Sequence, residues 1–400
     1  MVAVSGRLRA GAALLGPAFV AAIAYVDPGN VATNTAAGAR YGYLLVWVLV
    51  GANVMAGLVQ YLSAKLGLVT GKSLPEAVRD HLPRPARLAY WGQAEVVAMA
   101  TNLAEVLGGA IALALLFDLP LLLGGVITGV VSTVLLLVQD KRGQKPFERV
   151  ITTMLVVIAV GFVAGLFVSP PSVPGTLNGL VPRFDGADSV LLAAGMLGAT
   201  VMPHAVYLHS ALARDRHGRN PSLLGTTKLD VVLAMVLAGA VNMAMLLLAA
   251  SALQGADGVD TLEGAHAAVA AQLGSGIALL FALGLLASGF ASTAVGCYAG
   301  AVVMDGLLRV RIPLLARRIV TLVPALVILA FGVDPTFALV LSQVVLSFGI
   351  PFALIPLVWL TARRSVMGSF VNRRSVTASA CMVAFAVVVL NVALIYLTVS

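Results

Sequence analysis

The first long apolar run of the chain carries the sequence AYVDPGNVA at residues 24–32, and the sixth carries ATVMPHAV at residues 199–206. In each stretch a proline and polar residues interrupt a segment that would otherwise form one continuous helix. Inside a lipid bilayer every backbone N–H and C=O needs a partner, so such an interruption is tolerated only where it lines a cavity enclosed by protein. Two interruptions at corresponding positions indicate the binding site of a transporter.

The composition predicts an all-α polytopic membrane protein. Hydrophobic residues make up 60% of the 400 residues and charged residues only 10%, whereas about a quarter of the residues of an ordinary soluble domain is charged. Apolar windows of about 20 residues, the length that spans roughly 30 Å of hydrocarbon, indicate eleven transmembrane helices. We expect them at about 11–38, 42–66, 89–116, 119–139, 148–168, 188–213, 226–252, 273–304, 314–333, 336–361 and 376–398.

The positive charges predict the orientation of these helices. With the amino terminus placed in the cytoplasm, all 25 Lys and Arg residues, beginning with Arg7 and Arg9, fall in cytoplasmic segments except Arg40 and Arg183. Cytoplasmic loops of membrane proteins carry such an excess. We therefore expect a multi-pass protein of a bacterial-type cytoplasmic membrane, with its amino terminus inside and its carboxyl terminus outside. The net charge of +8 reflects this topology and indicates no nucleic-acid partner; no obligatory protein partner is evident.

The two interrupted helices are expected to run in opposite directions across the bilayer. The sixth span follows the first after five crossings, and an odd number of crossings reverses the direction of the chain. We therefore predict a single transmembrane transporter domain over residues 1–400 that contains two inverted five-helix repeats, at 11–168 and 188–361, with discontinuous helices 1 and 6. An additional helix 11 at 376–398 lies outside the repeats.

The prolines of the two interruptions release backbone oxygens. Pro28 and Pro203 lack an N–H, so the carbonyl groups of Ala24 and Ala199, four residues earlier, lose their helical partners. Gly29 lets the chain turn away from helical dihedral angles at little steric cost. The interruptions therefore expose carbonyl oxygens that can bind a cation.

Three side chains complete the expected set of ligands. Asp27 offers a carboxylate, Asn30 an amide oxygen and Met202 a thioether sulfur. Oxygen ligands alone suit Mg²⁺ or Ca²⁺, whereas a thioether favours softer transition metals. We therefore expect a site for Mn²⁺, Fe²⁺, Co²⁺ or Cd²⁺ that discriminates against Ca²⁺ and Mg²⁺. A bound dication also explains a carboxylate at this depth, because an unpaired charge there is costly.

These motifs resemble those of the Nramp family of proton-coupled divalent-metal transporters. The resemblance extends over nearly the whole chain and includes Gly198-Ala199-Thr200-Val201, Leu74-Pro75-Glu76, Ala104-Glu105, Arg317-Arg318 and Leu341-Ser342-Gln343. It implies a LeuT-like fold and the import of Mn²⁺ or Fe²⁺ together with protons. The metal ion and the proton are then transported substrates, and no bound cofactor is expected.

The resemblance also assigns roles by position. It implies that Asp27, Asn30, Met202 and the carbonyl of Ala199 bind the metal ion. The Ala24 carbonyl and Gln343 match groups that join the site in some conformations of the family.

Ionisable residues within the expected spans are candidates for proton movement. They are Glu95 and Glu105 in span 3, His204 and His209 in span 6 and the pair Arg317 and Arg318 in span 9. The resemblance implicates the residues at 105, 204, 317 and 318 in proton movement or gating. A protonated His204 would repel a bound dication, but a neutral imidazole that braces the helix by hydrogen bonds is an equal alternative.

The sequence departs from the family at Asn102. The family usually has Asp at this position, three residues before Glu105 and next to the metal site. Because an amide cannot accept and release a proton, a route through a carboxylate at this position is lost. We expect Asp27 to remain the primary proton acceptor and the coupling of metal and proton movement to be altered.

Other interpretations are a related carrier for Mg²⁺ or an organic substrate, and an intramembrane metalloenzyme. Met202 argues against Mg²⁺, and no bare helix end for an amino-acid carboxylate is evident. The sequence lacks a His-Glu-x-x-His pattern and a three-residue zinc set. A cleaved signal peptide at the first span is disfavoured because the apolar run is long and ten further spans follow.

Overall fold

The computed structural model describes residues 16–256 and 258–399, with side chains described as far as residue 392. The expected start of the first span at residues 11–15, and the charges of Arg7 and Arg9, lie outside the described residues. Within the described ranges all regular secondary structure is helical, so the expected all-α architecture is confirmed there.

The first half of the chain contains one interrupted helix followed by four long helices. Its elements are α1 (Pro17–Ala22), a 3₁₀ turn (Ile23–Val26), α2 (Pro28–Tyr41), α3 (Val46–Thr70), α4 (Leu74–Arg79), α5 (Arg84–Phe117), α6 (Leu121–Arg142), α7 (Gln144–Val163), α8 (Gly165–Val168) and α9 (Val173–Asn178).

The second half also contains one interrupted helix followed by four long helices, and a further long helix lies at the end. Its elements are α10 (Gly186–Thr200), α11 (Pro203–His217), a 3₁₀ turn (Pro221–Leu223), α12 (Leu224–Ala252), α13 (Leu262–Leu273), α14 (Ser275–Leu308), α15 (Leu314–Ala330), α16 (Pro335–Thr361), α17 (Arg364–Met367), a 3₁₀ turn (Gly368–Phe370) and α18 (Arg374–Val399).

Nine helical segments of the described chain are long and apolar enough to cross a membrane. They correspond to all of the expected spans except the first and the ninth. The first expected span is the interrupted segment from α1 to α2, whose parts are short. The ninth is α15, which has 17 residues. The predicted polytopic membrane architecture is thus confirmed.

Both interruptions have the same local geometry. Asp27 (φ −71°, ψ 168°) and Met202 (φ −85°, ψ 121°) are extended, and each precedes a proline that occupies the first turn of the next helix. Proline pushes the preceding residue into extended conformations and fits the start of a helix, where its missing N–H is not needed. Each proline therefore ends one half-helix and begins the next.

Small residues bring the long helices into close contact around these interruptions. A Cβ atom on Gly289 of α14 would lie 2.6 Å from the backbone N of Gly109 in α5, so only glycine permits this approach. Similarly, a Cβ on Gly161 of α7 would lie 2.6 Å from the carbonyl oxygen of Leu280. Close packing through small residues is typical of helix association in membranes. The helices α5, α7 and α14 thereby form a tight frame.

Candidate metal site

The two interruptions meet at the side chain of Asn30. Its Nδ2 donates hydrogen bonds to Asp27 Oδ1 (2.7 Å) and to the carbonyl oxygen of Ala199 (2.8 Å). The Asn30 backbone N–H also donates to Asp27 Oδ1, at 2.8 Å. The carboxylate of the first interruption and the released carbonyl of the second therefore lie on either side of one buried amide group.

Asp27 is a buried carboxylate held at the start of α2. It accepts the capping hydrogen bond from the Asn30 N–H, and the positive end of the helix dipole favours a negative charge at this point. Among the described residues, no ion pair includes Asp27. A carboxylate buried at membrane depth without a cationic side chain is suited to receive a cation.

The other expected metal ligands lie at or next to the same interruptions. Met202 is fully buried directly before α11, and Ala24 is fully buried in the 3₁₀ turn. Gln343 of α16 approaches the first interruption so closely that a Cβ atom on Gly29 would collide with its Nε2. Neither polar atom of the Gln343 amide has a hydrogen-bond partner in the described part of the chain. This amide is therefore available to a ligand.

The backbone oxygens of the first interruption are bound by side chains from two neighbouring helices. Asn242 of α12 donates to the Tyr25 carbonyl at 2.6 Å, and Ser288 of α14 donates to the Val26 carbonyl at 2.6 Å. These hydrogen bonds satisfy backbone groups that the broken helix cannot pair internally. They hold the 3₁₀ turn, and with it Asp27, in a fixed position.

A buried hydrogen-bond chain connects the first interruption to α11. Gln60 of α3 donates from Nε2 to the Tyr25 hydroxyl at 2.6 Å, and its Oε1 lies 2.7 Å from His209 Nδ1. All three side chains are fully buried. These hydrogen bonds connect α3 in the first half of the molecule to α11 in the second.

The candidate proton residues fall into separate groups. Arg317 forms an ion pair with Glu95, in which a single guanidinium nitrogen, NH2, lies 2.9 and 3.0 Å from the two carboxylate oxygens. Arg318 instead donates to the amide oxygen of Asn102 and, at 2.7 Å, to Ser132 Oγ. One arginine of the pair thus has a carboxylate partner, and the other is hydrogen-bonded by neutral side chains.

Glu105 and His204 are buried without hydrogen-bond partners among the described residues. Glu105 packs against Gly296 of α14, where a Cβ atom would lie 2.8 Å from its Oε2. His204 lines a small crevice together with Tyr207 of α11.

Two cavities approach this region from opposite sides of the molecule. A cleft of about 250 Å³ leads from Arg40 and Asp260 at its mouth to Gly29 and Gln343. Arg40 and Asp260 pair across this mouth, with 2.7 Å between Nε and Oδ1. A larger cavity of about 610 Å³ opens on the other side, where its lining includes Glu76, Arg214 and Arg317. Only the cleft reaches the interruption in α1–α2.

Residues 18–397 match the family model described as "Natural resistance-associated macrophage protein-like", abbreviated Nramp. The chain belongs to the Nramp family. It is 63% identical over 393 residues to the "Divalent metal cation transporter MntH" of Mycobacterium tuberculosis, with 97% of this chain and 92% of that protein covered.

Solved structures show the same architecture. The crystal structure of the Eremococcus coleocola manganese transporter, in complex with an aromatic bis-isothiourea substituted compound, matches with a TM-score of 0.88 and 31% identity, over 97% of this chain and 87% of that chain. Mhp1, a nucleobase-cation-symport-1 family transporter, matches in fold alone, with a TM-score of 0.61 and 17% identity over 96% and 91% of the two chains. The expected LeuT-like fold is thereby confirmed for this Nramp protein.

Several residues of the site were not expected from the sequence. Thr200 donates to the Asn30 amide oxygen at 3.4 Å, and Gln60, Tyr25 and Ser288 hold the first interruption through the hydrogen bonds given above. Thr200 could have been found because it lies within the second interruption. Ser288 could not, since nothing in its local sequence indicates that it faces a helix more than 250 positions earlier.

Proposed function

We propose that this Nramp protein transports divalent transition-metal ions, Mn²⁺ above all and also Fe²⁺, Co²⁺ and Cd²⁺, together with protons across the cytoplasmic membrane by alternating access. The observation that carries this proposal is the Asn30 amide between Asp27 Oδ1 and the Ala199 carbonyl. The similar proteins named above, a divalent metal cation transporter and a manganese transporter, support the same class of substrate. Membership of this transporter family argues against the metalloenzyme interpretation.

The hydrogen bonds of Asn30 indicate where the metal ion binds. Its NH₂ group donates to two oxygens that a cation would also bind, and a half-turn of the amide directs Oδ1 to the same point. A cation there contacts the Asp27 carboxylate, the Asn30 amide oxygen and the Ala199 carbonyl, with the Met202 sulfur as a further ligand. Ala24 and Gln343 join this site when the half-helices move.

The composition of the site suits an ion that must be released again. Among the described residues no three or more His, Cys, Asp or Glu side chains cluster, so the proposed ligands include only one formal negative charge. A single carboxylate with neutral oxygen and sulfur ligands binds a dication less firmly than a closed thiolate or histidine cage does. Protonation of Asp27 removes that one charge, which makes proton and metal binding at this site mutually dependent.

The charge distribution supports a direction for this transport. The cleft that reaches Gly29 opens on the side of Arg40, which the distribution of Lys and Arg places outside. The larger cavity opens among arginines of the cytoplasmic segments. We propose that the metal ion enters through the cleft and leaves through the larger cavity. Residues 11–168 and 188–361 act as the two inverted repeats. The amino terminus lies in the cytoplasm and the carboxyl terminus lies outside.

Uptake of Mn²⁺ and Cd²⁺ into proteoliposomes tests the site through Met202→Ala. Loss of the thioether should lower Cd²⁺ transport by about tenfold, equivalent to about 1.4 kcal/mol of binding free energy, and increase competition by Ca²⁺ and Mg²⁺. Met235→Ala is the matched control, because Met235 is also buried but lies in α12. If Met202→Ala transported Cd²⁺ as the wild type does and excluded Ca²⁺ equally well, the proposed sulfur ligand would be wrong.

A further inference from the structure

An apolar groove runs between α16 and α18 on the outer surface of the helix bundle, away from the metal site. Its volume is about 460 Å³. Val358 and Ala384 lie buried at its floor, whereas Trp359 and Phe385 stand at its rim with 39% and 71% of their surfaces exposed. The groove is therefore a concave apolar surface that faces the hydrocarbon of the membrane.

The length of the groove corresponds to one leaflet of a bilayer. Its lining on α18 extends from Thr377 to Val388, which is about 16 Å at a rise of about 1.5 Å per residue. The hydrocarbon core of a bilayer is roughly 30 Å thick, so the groove covers about half of it. This is the reach of an acyl chain that belongs to a single leaflet.

Four exposed arginines lie next to one end of the groove along the chain: Arg363 and Arg364 directly follow its lining residue Ala362, and Arg373 and Arg374 precede its lining residue Thr377 by four and three positions. In the part of the chain that the structure describes, none of them takes part in an ion pair. From residue 335 to residue 400 the sequence contains no Asp or Glu. This end of the groove thus carries a concentrated positive charge.

The charged end and the apolar groove are physically joined at Trp359. The guanidinium carbon of Arg363 lies 3.7 Å from the centroid of the Trp359 ring, a cation–π contact. His81 packs against the same ring, with 5.0 Å between the ring centroids. Its neighbour Asp80 is paired with Lys72 at 2.6 Å, so this carboxylate is already engaged.

We propose that this groove binds one anionic phospholipid of the cytoplasmic leaflet, with an acyl chain along α16 and α18 and the headgroup phosphate at the arginines. Guanidinium groups match phosphate oxygens in a two-pronged geometry, and basic pockets between helices on the cytoplasmic side hold anionic headgroups. A second copy of the chain fits less well. A two-fold interface at this groove would bring the same four arginines of both copies together, which repel each other.

Fluorescence of Trp359 in liposomes tests this proposal. In a Trp47→Phe, Trp91→Phe background, Trp359 is the remaining tryptophan. We expect phosphatidylglycerol with brominated chains to quench it more than brominated phosphatidylcholine does at the same minor fraction. Replacing Arg363 can itself change the fluorescence of the Trp359 ring. Quenching is therefore measured as the ratio of Trp359 fluorescence in brominated and non-brominated lipid for each variant. Replacing Arg363 and Arg374 by Gln should weaken the preference for the anionic lipid about fivefold for each charge removed.

The matched control is Lys141→Gln with Arg142→Gln, which removes two exposed charges at the same side of the membrane from the end of α6. It should leave the lipid preference unchanged. If the tryptophan background does not fold, a fluorophore on the exposed Cys381 in the groove, with nitroxide-labelled lipids as quenchers, replaces it, because Cys297 is buried. Equal quenching by both lipids, or bismaleimide crosslinking of Cys381 between two copies, would overturn the proposal.

Discussion

The Asn102 side chain makes the same kinds of hydrogen bond as a protonated carboxyl group. Its amide oxygen accepts a hydrogen bond from Arg318, and its Nδ2 donates to the Thr321 carbonyl at 2.6 Å. A protonated Asp could make both hydrogen bonds, whereas an ionised Asp could only accept and would face the carbonyl oxygen. Because an amide has no proton to exchange, Asn102 is fixed in the neutral arrangement.

Asn102→Asp should therefore alter proton movement more than metal binding. We expect a severalfold change in the proton flux of proteoliposomes, since the new carboxyl group can exchange a proton beside Arg318. The apparent KM for Mn²⁺ should change by less than the flux. A pH-sensitive dye inside the vesicles and Mn²⁺ uptake measure the two quantities.

The control at this position is Asn102→Ala, which removes the hydrogen bonds without adding a carboxyl group. If Asn102→Ala and Asn102→Asp changed the proton flux alike, the effect would come from the loss of the Asn102 hydrogen bonds and not from the added carboxyl group. Unchanged proton flux in Asn102→Asp would show that this position lies outside the proton route.

Residues of the site differ in how far the sequence reveals them. The breaks at Pro28 and Pro203 could be predicted because proline acts on its own backbone and on the carbonyl four residues earlier. The role of Ser132 beside Arg318 could not be predicted, because the two residues lie 186 positions apart and serine in an apolar helix is common. Local chemistry is readable in the sequence, but contacts between distant helices are not.

At the scale of single elements, the short helix α4 is fixed by its first turn and by α11. Ser73 and Glu76 form a capping box, with 2.7 Å from the Ser73 N–H to Glu76 Oε2, and Arg214 at the end of α11 donates to the same carboxylate. Burial raises the pKa of Glu76. The Ser73 hydrogen bonds and the charge of Arg214 together lower this pKa by more than burial raises it, so it lies below its ordinary value. The ionised form thus joins α4 to α11.

Glu76→Gln should destabilise the protein by about 1–2 kcal/mol at neutral pH, because a charged capping hydrogen bond is lost. A carboxyl group whose pKa is lower in the folded state stabilises the fold above its unfolded pKa of about 4.3. This contribution disappears as the pH falls through the lower, folded pKa. Thermal unfolding of the two proteins should therefore differ at neutral pH and converge in acid.

Glu263→Gln is the control for this prediction, since it removes the same charge from the first turn of another short helix, α13. It should change the unfolding temperature little at any pH. A difference between wild type and Glu76→Gln that persisted in acid would mean that the carboxylate charge is not what joins α4 to α11.

The ends of the helices show why a hydropathy window predicts transmembrane spans better than it predicts where individual helices begin and end. The third expected span, at 89–116, corresponds to α5 (Arg84–Phe117), which begins five residues earlier with charged residues outside the apolar window. α4 was not expected as a helix at all, although Ser73 and Glu76 have the spacing of a capping box. The hydropathy window measures the free energy of transferring residues into hydrocarbon. Helix ends depend instead on capping residues and on the part of the helix that extends into water.

At the scale of the whole molecule, the two cavities are arranged so that only one reaches the metal site. The cleft beneath Arg40 ends at Gly29 and Gln343, while the larger cavity stops at Arg317 on the opposite side. The buried contacts of Tyr25 with Gln60, and of Gln60 with His209, tie α3 and α11 to the first interruption. Under the proposed alternating access, we expect these contacts to separate when the cleft closes.

Labelling of single cysteines from each side of the membrane tests this arrangement. In a Cys381→Ala background, whose remaining Cys297 is buried, Thr33→Cys places a thiol in the cleft and Ala301→Cys places one in the larger cavity. A membrane-impermeant maleimide added to intact cells should label Thr33→Cys and not Ala301→Cys. Permeabilised cells should allow labelling of both.

Mn²⁺ with an inward proton gradient should then slow the labelling of Thr33→Cys and speed that of Ala301→Cys, because transport moves the protein between its two open forms. Arg183 is exposed in the loop that we expect outside, so the maleimide should label Arg183→Cys from outside at a constant rate. This variant therefore reports the orientation separately from the transport movement. Labelling of Arg183→Cys only after permeabilisation would reverse the proposed orientation. Parallel changes at Thr33→Cys and Ala301→Cys, with Arg183→Cys constant, would leave the orientation intact and contradict alternating access, since both cavities would then open together.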